Sequence, residues 1–77
     1  MTRKPVKSTA VRSVGYDADE WVLQVKYAGG DIYNYFRVPA TEYQRLIEAP
    51  SKGIHMNGEI KPYYEYELVE LDALSAG

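Results

Sequence analysis

The chain has no cysteine among its 77 residues. That excludes disulfide staples, zinc fingers built on thiolates and thiol catalysis. It has a single histidine, and no run of apolar residues approaches the roughly 20 needed to span a bilayer. The N-terminus, MTRKPVKST, lacks the hydrophobic stretch of a signal peptide. A cytoplasmic protein without membrane association is therefore expected. What remains is ordinary for a folded chain, at 45% hydrophobic and 26% charged residues. A chain this short makes one small domain that buries roughly 63% of its extended surface. That allows one thin core layer and no deep substrate cavity.

The net charge is −2 at a sequence pI of about 5.3, the wrong sign for a dedicated nucleic-acid binder. The charge is unevenly spread. All 9 Lys and Arg lie in residues 1–61, whereas Glu65, Glu67, Glu70 and Asp72 follow with no base among them. Residues 1–7 are read as a flexible basic arm, 8–64 as the domain and 65–77 as an acidic extension.

Strand signals come first along the chain. Residues 9–16 alternate imperfectly and end in a Gly-Tyr-Asp-Ala-Asp turn cluster. Trp21, Leu23, Val25 and Tyr27 alternate with Val22, Gln24 and Lys26, a clear strand. Gly29-Gly30 is read as a two-residue hairpin loop. Ile32 to Val38 is a third strand, rich in aromatic and β-branched residues. Pro39 ends it, and Ala40–Ala49 is expected to be a helix with Tyr43, Leu46 and Ile47 on one face. Pro50 stops the helix, and Ser51 is placed to cap a second short turn. Tyr63 to about Leu68 offers a possible fourth strand, while Leu68, Leu71 and Leu74 have near-helical spacing. The expected fold is α+β: a three-stranded antiparallel meander with a helix on one face, a short helical or irregular segment after it, and that possible strand.

A two-residue loop pairs Tyr27 with Ile32, Val25 with Asn34, Leu23 with Phe36 and Trp21 with Val38. This makes one apolar face for the helix to cover. A similar count places Tyr16 opposite Trp21 and Val14 opposite Leu23. Tyr33 and Tyr35 then lie on the other face beside Lys26, Gln24 and Arg37. Asn34 is a misfit on the apolar face and needs a hydrogen-bond partner there. The assignment rests on parity: a three-residue loop with a bulge would send both tyrosines inward.

The run Leu23-x-Val25-x-Tyr27, Gly30, Tyr33-Asn34-Tyr35-Phe36-x-Val38-Pro39, Tyr43, Leu46, Ala49, Ser51-Lys52-Gly53 and Asn57 resembles the KTSC domain family. That domain is named for the C-terminus of some lysyl-tRNA synthetases and also forms short bacterial and phage proteins. Its central feature is a Tyr-x-Tyr pair, here Tyr33 and Tyr35. Ile54-His55-Met56 departs from the family, where an aromatic residue precedes the Asn. By analogy with the synthetase context, the resemblance implies RNA binding.

Rings exposed on a strand can stack bases, with Lys and Arg holding phosphates. The candidate nucleic-acid site is therefore Tyr33, Tyr35, Lys26 and Arg37, with Lys52 beside a helix start. The expected partner is single-stranded RNA; the alternative is a protein partner or a second copy of the chain. Catalysis is not expected. Ser51 and Lys52 lie near His55 along one helical turn, but a third member and an oxyanion site are missing from the pattern. No metal or other cofactor is expected either, because one His with scattered carboxylates has no ligand spacing. Asp17-Ala18-Asp19-Glu20 reads as a solvated turn rather than a calcium loop.

Overall fold

A computed structural model describes residues 2–69. The domain is α+β, with five antiparallel strands in sequence order. They are β1 (Lys4–Pro5), β2 (Val11–Asp17), β3 (Val22–Tyr27), β4 (Ile32–Tyr35) and β5 (Tyr66–Val69). Between β4 and β5 come α1 (Ala40–Glu48), α2 (Lys52–His55) and a π-helical turn at Met56–Ile60. No helix among the described residues is long and apolar enough to cross a membrane.

The sheet is wider than the three-stranded meander read from the sequence. Part of the segment read as an arm is paired, since Lys4 faces Val14 and Pro5 faces Ser13. Val6 donates its N–H to the Arg12 carbonyl at 3.0 Å and packs against the core. The possible fourth strand forms as β5, with Tyr66 opposite Tyr35 and Leu68 opposite Tyr33. The rest of the acidic extension, with Leu71 and Leu74, lies outside the described residues.

The β3–β4 register corrects the expected one. Leu23 pairs with Tyr35, Val25 with Tyr33 and Lys26 with Ile32, one residue away from the two-residue-loop count. The cause is the loop. Gly30 donates its N–H to the Tyr27 carbonyl at 2.9 Å, and Tyr27 donates to the Asp31 carbonyl at 2.8 Å. Gly30 has φ 104°, so a turn through Ala28 and Gly29 is completed by a left-handed glycine. This three-residue loop matches the strand twist with one more residue than a primed turn uses. Every side chain of β4 therefore changes face. Tyr33 and Tyr35 join Leu23 and Val25 on the helix-covered side, and Asn34 goes to the open side.

Across β2–β3 the register also moves, with Tyr16 opposite Leu23 and Val14 opposite Val25. Here the shift is two residues, so the faces stay as expected. Asp17 Oδ1 accepts from the Asp19 and Glu20 amides at 3.0 and 3.2 Å. Trp21, expected in the strand, closes the loop at φ 58° and is exposed.

The core is Val11, Val14, Leu23, Val25, Tyr35, Val38, Leu46, Met56 and Ile60. Helix α1 contributes Leu46 as a fully buried residue, with Tyr43 and Ile47 packed at its margin. Tyr43 stacks on Tyr16 with ring centroids 4.8 Å apart, and Tyr16 donates its hydroxyl to the Val38 carbonyl at 2.6 Å. Those contacts anchor the chain between sheet and helix.

Ser51-Lys52-Gly53 has a structural explanation residue by residue. Ser51 Oγ accepts from the Ile54 amide at 3.3 Å and caps α2. Lys52 donates to the Ile47 and Ala49 carbonyls at 3.0 and 2.6 Å, closing the C-terminus of α1 where carbonyls lack partners. A Cβ on Gly53 would sit 2.9 Å from the Ala10 Cβ, inside contact distance. Gly53→Ala should therefore push the segment before β2 off the helix and cost about 1–3 kcal/mol. A thermal melt checks this; an unchanged Tm would show that the Ala10 approach is not held.

Candidate functional site: a tyrosine pocket at the sheet margin

The open face of the sheet is a polar row. Arg3 reaches over β2, donating to Gln24 Oε1 at 2.6 Å and Ser13 Oγ at 3.2 Å. Gln24 passes a hydrogen bond to Asn34 Oδ1 at 3.0 Å. Asn34 thus finds its partner on the polar face. Lys26 lies on this face too, opposite Ser13 and Ile32.

The structure therefore separates the five residues chosen from the sequence. Tyr33 and Tyr35 stay together, with ring centroids 6.3 Å apart, but on the core side. Tyr35 is buried, and Tyr33 is half-buried. Lys26 is across the sheet from both. Arg37 is exposed, takes φ 58° and faces Glu65 at 3.8 Å. Lys52 spends its ammonium group on α1 carbonyls. An open face carrying both tyrosines does not exist.

A different cluster forms where β4, β5 and the β3–β4 loop meet the end of the π-helical turn. The alternation of β3–β5 puts Tyr27, Tyr33, Tyr35 and Tyr66 on one side. Tyr27 meets Tyr33 edge-on with centroids 5.8 Å apart and planes at 77°. Tyr66 meets Tyr33 edge-on at 5.7 Å and lies tilted against Tyr35 at 5.7 Å. Edge-to-face packing of this kind satisfies the ring quadrupoles. The Lys61 ammonium sits 4.9 Å from the Tyr27 ring centroid, a cation–π contact. These four tyrosines, Asp31 and Lys61 line a pocket of about 330 Å³.

Inside it, the Tyr27 and Tyr35 hydroxyls share a hydrogen bond of 2.6 Å. Burial pushes both phenols above the ordinary tyrosine value. For Tyr27 the hydrogen bond to Tyr35 and the neighbouring phenols add to that rise. For Tyr35 the shared bond works against burial, and burial wins. The pair keeps its protons, so the pocket floor is neutral and already hydrogen-bonded. Asp31 and Lys61 supply its charges, and among the described residues no ion pair joins them. Tyr66 is 58% exposed, so its ring is available to a ligand.

Sequence reasoning missed Tyr27, Asp31, Lys61 and Tyr66 as site residues. Tyr66 was legible in part, since its alternation with Tyr64 marks the strand. Lys61 carried no signal, because only tertiary folding brings it over Tyr27.

His55 is half-buried and its Nε2 lies 2.7 Å from Glu42 Oε2. Arg45 faces the other Glu42 oxygen at 3.9 Å. This pair ties α2 to α1, while Ser51 Oγ is taken up by the Ile54 amide. Among the described residues, no three of His, Asp and Glu gather in a group that could hold a metal ion.

The fold and pocket together define a small α+β domain with an aromatic recess at the margin of its sheet. The profile of the KTSC domain matches residues 7–64, and the chain belongs to that family. An uncharacterized protein of Stutzerimonas stutzeri is 40% identical over 67 residues, covering 86% of this chain and 94% of that protein. A lysine–tRNA ligase of Nostoc punctiforme is 31% identical over 61 residues, covering 79% of this chain and 11% of the ligase. The crystal structure of a KTSC domain protein from Yersinia pestis is similar at a TM-score of 0.83 and 33% identity, covering 88% of this chain and 96% of that one.

Proposed function

We propose that the chain is a non-catalytic binding module that takes an unpaired base of single-stranded RNA into the tyrosine pocket. The observation that carries this reading is the recess itself: inclined tyrosine rings, one of them largely exposed, with a lysine at the rim. Each base offers a π-face to such rings, and stacking is worth about 1–3 kcal/mol per base. The similarity to a segment of lysine–tRNA ligases, enzymes whose name puts them on an RNA, supports the same ligand class.

The reading moves the site from the one expected in the sequence. Lys26, Arg37 and Lys52 drop out as phosphate contacts, leaving Lys61. One such phosphate contact gives a log–log salt slope of about −0.7 for a single strand. A chemical-shift titration with a uridine oligomer should move Tyr27, Tyr33, Lys61 and Tyr66. Tyr66→Ala, at an exposed ring, should weaken binding by about 1–3 kcal/mol without unfolding the domain. If shifts at low salt avoid these residues, the pocket is not the site. Shifts that appear only on adding a protein partner or at high chain concentration would point to protein interaction instead.

A further inference from the structure

Stacking on tyrosine tolerates every base, so any selectivity of this pocket must come from its polar rim. We propose that the rim selects guanine; this deepens the reading of the pocket as a base site and rests on it. Asp31 is an acceptor only, and Lys61 is a donor only. Both line the pocket without pairing to each other among the described residues. The Asp31 side chain makes no hydrogen bond among the described residues; its backbone carbonyl serves the hairpin. The Tyr27 and Tyr35 hydroxyls are engaged with one another. Beside the Tyr33 and Tyr66 hydroxyls, the two charged groups are thus the strongest recognition chemistry without an ion-pair partner among the described residues.

A carboxylate is best matched by two N–H donors side by side. Guanine offers these on its Watson–Crick edge, at N1 and the N2 amino group, with the O6 acceptor next to them. Asp31 takes the two N–H groups, and Lys61, whose ammonium has three donors, gives one to O6 and keeps the others for the phosphate. Uracil has one N–H between two carbonyls, which face the carboxylate unfavourably. Adenine and cytosine each offer one amino group beside an acceptor nitrogen. Four tyrosines and a carboxylate also resemble a cage for a methylated ammonium ligand. Lys61 argues against it, since its ammonium already sits 4.9 Å from the Tyr27 centroid and repels a second cation.

The test is fluorescence anisotropy with uridine oligomers in which one central base is uracil, guanine, adenine, cytosine or hypoxanthine. The guanine oligomer should bind roughly tenfold tighter than the others. Hypoxanthine, which keeps N1–H and O6 but lacks the amino group, should lose most of that gain. Asp31→Asn should weaken the guanine oligomer and leave the uridine oligomer bound no more weakly, because a negative charge is removed. Equal affinity for all five, with shifts still at Tyr33 and Tyr66, overturns the selectivity and leaves stacking intact. Equal binding of guanine and hypoxanthine overturns the Asp31 contact. No binding of any oligomer takes down both this inference and the function beneath it.

Discussion

Leu46→Ala should lower the unfolding free energy by about 2–5 kcal/mol. Leu46 is fully buried and is the residue that α1 places in the core beside Met56 and Ile60. Truncating it removes the transfer energy of three carbons and leaves a cavity under a nine-residue helix that can collapse only in part. A domain of this length has on the order of 4–12 kcal/mol in total, so one substitution removes a large share. Ile54→Ala provides the comparison. Ile54 is 75% exposed, and its loss should stay within about 0.5 kcal/mol. Urea melts should show a lower midpoint at unchanged slope for Leu46→Ala. Should that variant fail to fold, Leu46→Met keeps the volume and should cost less than about 1.5 kcal/mol. A Leu46→Ala midpoint equal to wild type would mean that α1 does not cover the sheet.

Local patterns were read correctly where one element decides them. The alternation in β3 and the spacing of Tyr43, Leu46 and Ile47 in α1 each reflect a single periodicity. The Ser51 cap is likewise a short-range hydrogen bond. The β3–β4 register was not legible, because Gly29-Gly30 permits both a two-residue and a three-residue loop. Parity then turned one uncounted loop residue into a wrong face for the whole strand. Asn34 carried the warning: it was a misfit in the expected register and is satisfied by Gln24 in the observed one. Met56 and Ile60 were missed as core because they lie on a π-helical turn that runs through Gly58, a residue that weakens any helical pattern in the sequence. The site suffered most. Tyr-x-Tyr named two of its rings, but its other walls come from β5, a loop carboxylate and Lys61, which only the fold assembles.

Raising the pH above about 10 should unfold the domain, and the tyrosines set the direction. Tyr16, Tyr27, Tyr35 and Tyr64 all lie above the ordinary value of 10.0 in the folded chain, burial being the first cause of each. Below that value both folded and unfolded chains hold these protons, and stability does not depend on them. Above it the unfolded chain releases protons that the folded chain keeps, so it binds fewer and stability falls with pH. The loss is at most about 1.4 kcal/mol per pH unit for each group so held, and less for rings open to solvent. Tyr27 and Tyr35 carry most of it, since ionising either one forces a charge into the buried pocket floor, a cost that the shared hydroxyl bond adds to for Tyr27 and offsets only in part for Tyr35. Tyrosinate absorbance from these buried rings should rise in a cooperative step coincident with loss of the far-ultraviolet signal. Tyr27→Phe removes one such proton and should make stability fall less steeply above pH 10. If Tyr27 and Tyr35 titrate near 10 with the fold intact, the shared hydroxyl bond is not buried and the pocket is wetter than its geometry requires.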